Sequence, residues 1–130
     1  MKKNIIISFL LMAMCFFVAT NAFAESKWTP TKGLENNMIV YGKLLVNGTM
    51  VQSNDFIIAA FDDLDVCKGK STVKMHDKGT NFYITISSNT NGEKIYLKVL
   101  DKKSGTEYKV LDAITFKSDA TIADKVLNAF

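Results

Sequence analysis

The sequence predicts an all-β fold: an antiparallel β-sandwich of about eight strands, Ig-like or jelly-roll-like. Three observations carry this expectation. Turn-forming clusters recur at short, even spacing: Asn47-Gly48, Ser53-Asn54-Asp55, Asp62-Asp63, Asp77-Lys78-Gly79, the 88–92 stretch, Ser104-Gly105 and Lys117-Ser118-Asp119. The segments between them are rich in β-branched and aromatic residues, which favour pleated, half-buried surfaces. Two of those segments alternate cleanly between apolar and polar, the period-2 pattern of a sheet with one wet face.

The strands follow in order. Residues 38–46 form a first strand, closed by the Asn-Gly pair that favours a two-residue hairpin. Residues 55–61 are nearly continuously apolar, as in a central strand buried on both faces. Residues 66–75 come next. Across 81–87, Phe82, Ile84 and Ile86 share one face, and Tyr83, Thr85 and Ser87 share the other. Across 94–100, Ile95, Leu97 and Val99 point inward and Lys94, Tyr96 and Lys98 outward. Segments 107–111, 113–116 and 126–130 complete the set. The 121–130 stretch is short and poorly capped for a helix, so it is expected as an edge strand or irregular tail.

The first 24 residues have the order of a secretory signal peptide. Lys2 and Lys3 precede the apolar run 5–19, and Ala22 and Ala24 supply small residues at a cleavage site. The run is short for a spanning helix, which needs about 20 apolar residues. Lipid attachment at Cys15 is disfavoured by Met14, since that processing wants a small residue before the cysteine. Two regions are therefore expected: a signal peptide, 1–24, and a β-sandwich domain, 25–130. The exported domain has 106 residues, enough for a core without disulfides.

Removing Lys2 and Lys3 leaves 14 lysines against 13 carboxylates, a net charge of +1. The chain has no arginine, and its lysines are scattered among carboxylates. This argues against a nucleic-acid partner, which normally meets a clustered basic face. Cys67 is the single cysteine after the leader, so the domain rests on its apolar core. A lone thiol of this kind is most often buried.

One set of motifs resembles a known family. It comprises Trp28-x-Pro30, Glu35-Asn36-Asn37-Met38 with Tyr41-Gly42, Val46-Asn47-Gly48, Ala60-Phe61 with Cys67-Lys68-Gly69, Gly92-Glu93-x-Ile95, Gly105-x-Glu107-Tyr108 and Thr115-Phe116-x-x-Asp119. The chain resembles the small β-sandwich modules of secreted and cell-surface proteins of Bacteroidetes and related Gram-negative bacteria. Lys68 stands where that pattern has Arg, Ala59 where it has Gly, and 122–125 where it has a Gly-then-Pro stretch. The resemblance implies a sandwich fold, a secreted, periplasmic or cell-surface location, and no defined activity.

The function expected is that of a non-enzymatic envelope module mediating interaction or adhesion. Its partner would be a protein or glycan, with no membrane span after cleavage. The alternative is a carbohydrate-binding module that uses Trp28, Tyr41, Tyr83 and Tyr96, because flat aromatic faces stack on sugar rings. No cofactor is expected, apart from the possibility of calcium at Asp62, Asp63 and Asp65. Three carboxylates within four residues suit a hard cation that takes six or more oxygens, but no distal bidentate Glu follows. Cys67 and His76 invite a nucleophile–base reading, yet nine residues of strand-like chain would hold them apart. Asn36 and Asn37 are expected to form a turn, and Lys68-Gly69-Lys70 a solvated strand edge.

Overall fold

The computed structural model describes residues 28–76 and 79–130; the expected signal peptide and Cys15 lie outside them. Every regular element among these residues is a strand. The nine are β1 (Asn36–Val46), β2 (Thr49–Met50), β3 (Phe56–Phe61), β4 (Cys67–Thr72), β5 (Phe82–Ser88), β6 (Lys94–Asp101), β7 (Glu107–Lys109), β8 (Ile114–Thr115) and β9 (Thr121–Ala129). They form two packed sheets, a β-sandwich.

In the first sheet β1 is central. It pairs antiparallel with β5 and with the short β2 along one edge, and with β9 along the other. Asn47 and Gly48 both take positive φ, 49° and 81°, and turn β1 into β2 with two residues. That is the hairpin geometry an Asn-Gly pair favours. The second sheet runs β4-β3-β6, with β7 and β8 side by side on the remaining edge of β6.

Alternation places the core. Met38, Val40 and Leu44 of β1 meet Phe82, Ile84 and Ile86 of β5, and they face Ile58, Ala60, Ile95, Leu97 and Val99 of the second sheet. The inward sets expected for β5 and β6 are those observed. The run 56–61 is buried on both faces as expected, because its second face carries its own cover. Trp28 lies over the outside of the second sheet in a separate cluster with Ile57, Ala59, Phe61, Cys67 and Leu100. Its ring meets Phe61 edge-on, with centroids 5.4 Å apart. The Thr31 amide and hydroxyl both donate to the Cys67 carbonyl at 3.0 Å, which ties this N-terminal segment to β4.

The C-terminal segment is the edge strand expected, but its pairing is not antiparallel. It is a nine-residue strand paired parallel to β1, the one parallel pair among the named strands. Its alternation is broken by a bulge between Val40 and Gly42 of the ladder, where Asp124 has φ 55°. A shift of one residue moves side chains to the opposite face, so only Leu127 and Ala129 are fully buried. Beyond the bulge, β9 bridges to the second sheet: Val110 pairs with Ala129, and Lys109 and Phe130 exchange backbone hydrogen bonds at 2.9 and 3.0 Å. One side of the sandwich is thereby closed.

The other side is closed by contact. Gly69 of β4 abuts β5 so tightly that a Cβ there would stand 2.3 Å from the Thr85 carbonyl oxygen. The segment expected to be a solvated edge is thus partly buried, with Gly69 covered and the Lys68 side chain 13 % exposed. Asn36 and Asn37 begin β1 instead of forming a turn. Their side-chain oxygens accept from the hydroxyls of Ser118 and Ser87.

Candidate functional site

The four aromatic residues singled out in the sequence do not form one platform. Trp28 is 2 % exposed and belongs to the cluster on the outside of the second sheet. An indole in that position stabilises the fold and offers no free face to a ligand. Tyr41 and Tyr83 are directly opposite each other in the β1–β5 ladder, on the outer face of the first sheet. Their rings stack at 6.0 Å and 18°. Tyr96 is on the second sheet, opposite Phe61. The sequence placed all three tyrosines outward, which is what the structure shows. It carried no information on which sheet each would occupy.

The structure does gather Tyr96 with the three aspartates. They border an open depression of about 280 Å³ at one end of the second sheet. Phe61 and the Tyr96 ring contribute its apolar part, and Asp62, Asp63, Asp65, Lys98 and Lys109 its polar part; Leu97 and Val110 also border it, although their side chains pack into the core. Four segments meet there: the end of β3, the 62–66 loop, the middle of β6, and the chain leaving β7.

The loop explains why the aspartates sit as they do. The Asp62 carboxylate accepts from the amides of Leu64 and Val66, both at 2.9 Å, and its own amide donates to the Val66 carbonyl at 3.0 Å. An Asp that bonds amides two and four residues ahead is a turn-former by chemistry. Asp65 takes φ 63° to complete the turn. This geometry splits the carboxylates. Asp62 turns its second oxygen toward Lys68, whose Nζ lies 3.7 Å away and 3.8 Å from Glu93. Glu93 in turn accepts from the Ser88 hydroxyl. Asp65 pairs with Lys98 at 2.6 Å. No group of three or more His, Cys, Asp or Glu is placed to hold a metal among the described residues. Lysine ammonium groups stand beside two of the three carboxylates proposed for calcium.

Lys98 is held twice. Besides Asp65, its Nζ lies 4.6 Å from the centre of the Phe61 ring, a cation–π contact. Asp63 and Lys109 are exposed, and neither forms an ion pair among the described residues. Sequence reading missed Phe61, Leu97, Lys98, Lys109 and Val110 as neighbours of this site. The outward alternation of Lys98 with Tyr96 was a usable signal. Nothing local marks Lys109 or Val110, which arrive from a different part of the chain.

The nucleophile–base reading also finds its answer in placement. Cys67 begins β4, beneath the Trp28 cluster, with its Sγ donating to the Gly69 carbonyl at 3.4 Å. Burial pushes its thiol above the ordinary value, outweighing that hydrogen bond and the Lys70 charge. A thiol kept protonated is a poor nucleophile. His76 is exposed beyond the far end of β4, where its amide donates to the Thr80 carbonyl at 3.0 Å.

A second polar residue proves structural. Asn81 is fully buried where β1 parts from β5 and begins its hairpin with β2. Its side-chain oxygen accepts from the Leu44 amide at 2.6 Å; its amide nitrogen donates to the carbonyls of Leu44 and Val51 at 2.9 and 2.7 Å. Asn81 thus takes the place of the ladder partner that β1 lacks at this point.

Fold and geometry together define a β-sandwich whose chemically mixed side chains converge on a surface depression. Comparison of the chain with protein-family models, curated proteins and solved structures finds no match.

Proposed function

We propose that this protein is an exported, non-enzymatic β-sandwich module of the bacterial cell envelope, acting by interaction or adhesion. The observation that carries the reading is the depression itself. An exposed tyrosine, Phe61 beside it, and the charges of Asp63 and Lys109, which form no ion pair among the described residues, meet at an open surface, while the thiol is buried with its pKa raised. A site of this kind is built to hold a partner. The signal-peptide pattern of residues 1–24 and the motif resemblance supply the envelope location.

The test has two parts. The chain is expressed with residues 1–24 in a Gram-negative host, and its N-terminus and cellular fraction are determined. Glu25 at the N-terminus in the periplasmic or surface fraction supports the reading; an uncleaved cytoplasmic chain sinks it. The exported protein is then incubated with intact cells and envelope fractions, where saturable binding that is weakened by Tyr96→Ala is expected.

A further inference from the structure

We infer that the depression beside Tyr96 is a subsite for one neutral sugar ring. The inference rests on the binding role proposed above and supplies its ligand class. A pyranose has an apolar C–H face bordered by hydroxyls, each able to donate and accept. The depression has the complementary arrangement. Tyr96, 42 % exposed, offers a flat surface at the site, with Phe61 beside it in the ladder. Around these stand an acceptor, Asp63, and a donor, Lys109, both exposed and neither in an ion pair among the described residues.

The charges disfavour an ionic ligand. Lys98 and Lys109 face Asp62, Asp63 and Asp65, and Asp62 is already beside Lys68, so neither sign dominates. Lys98 is fixed by Asp65 and the Phe61 ring, which leaves little to reorganise on binding. Size sets the number of rings. About 280 Å³ falls just short of the usual range of small-ligand sites, which run from roughly 300 to 1,000 Å³. One ring fits; an extended chain would have to leave the depression. The stacked Tyr41–Tyr83 pair is on the other sheet and plays no part.

The experiment uses the exported protein, labelled with ¹⁵N and titrated with the methyl glycosides of glucose, galactose, mannose and N-acetylglucosamine. A parallel glycan array presents the same rings as chain termini and so separates free sugar from polymer ends. At least one ring is expected to give saturable amide shifts confined to residues 61–66, 96–98 and 109–111, with Kd on the order of millimolar. Tyr96→Ala should weaken binding by about tenfold or more, the scale of a lost aromatic anchor. Tyr96→Phe should retain it, showing that the ring is what matters, and Tyr83→Ala should leave it unchanged. Absence of saturable shifts with all four glycosides and on the array overturns the inference. So do shifts centred on Tyr41 and Tyr83, or undiminished binding by Tyr96→Ala. An exported protein that binds cells but no sugar refutes this subsite and leaves the envelope role standing; a chain that stays cytoplasmic yet gives the saturable shifts refutes the envelope role and supports the subsite.

Discussion

Asn81→Ala tests the account of the core most directly, because the structure states which groups would be orphaned. Without the side chain, the Leu44 amide loses its acceptor and the Val51 carbonyl its donor. The Leu44 carbonyl keeps the Val51 amide, at 3.1 Å. Leu44 and Val51 are both buried. Each orphaned group costs about 1–3 kcal/mol, so the substitution should cost about 4 kcal/mol, much of the stability of an ordinary small domain. The assay is urea unfolding followed by far-UV circular dichroism and by fluorescence of Trp28, the one tryptophan in the chain. The midpoint should fall while the slope stays constant.

Asn81→Asp sharpens the test. Near neutral pH it keeps the acceptor for Leu44 but points a carboxylate at two carbonyl oxygens, so it should be worse than alanine. Burial and those carbonyls would raise the folded-state pKa of the new carboxyl above its unfolded value. Its protonated form is therefore favoured on folding, and stability should recover as pH falls through that folded value. A loss under about 1 kcal/mol for Asn81→Ala, together with an aspartate variant that is no worse and insensitive to pH, would mean that Asn81 does not serve as the missing ladder partner.

The remaining predictions concern the two glycine contacts, the ion cluster, the outer cover and the thiol. Gly42→Ala should destabilise more than Gly69→Ala, since the added Cβ would lie 2.0 Å from the Lys125 carbonyl oxygen in one case and 2.3 Å from that of Thr85 in the other. Backbone cannot step aside as a side chain can, so each should cost at least about 1–3 kcal/mol by urea midpoint. Lys68→Met strands Asp62 and Glu93, whose side chains are 9 % and 16 % exposed. A loss of about 2–4 kcal/mol is expected, and adding Glu93→Gln should recover part of it in a double-mutant cycle. Trp28→Ala should cost about 3–5 kcal/mol by circular dichroism, because Phe61, Ile57 and Leu100 lose their cover. Iodoacetamide at mildly alkaline pH should alkylate Cys67 in urea and spare it in buffer. The raised folded pKa means that its stability contribution is present below the unfolded value, about 8.5, and is lost as pH rises through the folded one.

The depression near Tyr96 shows how a site arises that no single motif announces. Asp62, Asp63 and Asp65 invite a metal reading as a string of letters. In space, the first is a turn-former beside Lys68 and the third is paired with Lys98. What remains for a ligand is the surface those pairs leave between Asp63, Tyr96 and Lys109. Their proximity depends on β3 and β6 being neighbours and on the chain from β7 crossing the same end of the sheet.

Period-2 alternation and turn chemistry are local, and local properties were legible in the letters. The inward faces of β5 and β6 and the Asn47-Gly48 hairpin followed from them, the double burial of β3 from its nearly continuous apolar run, and the buried state of Cys67 from the usual habit of a lone thiol. Pairing is not local. The parallel match of β9 to β1 depends on a bulge opposite Gly42 that interrupts the pattern by which a strand is recognised. The cover over β3 comes from Trp28, about thirty residues upstream of Ile57, and an exposed and a buried tryptophan look alike in sequence. Asn81 reads only as the first residue of the 81–87 strand until Leu44 and Val51 are brought to it. Side-chain periodicity reports which way a residue faces; only the tertiary structure decides what it faces.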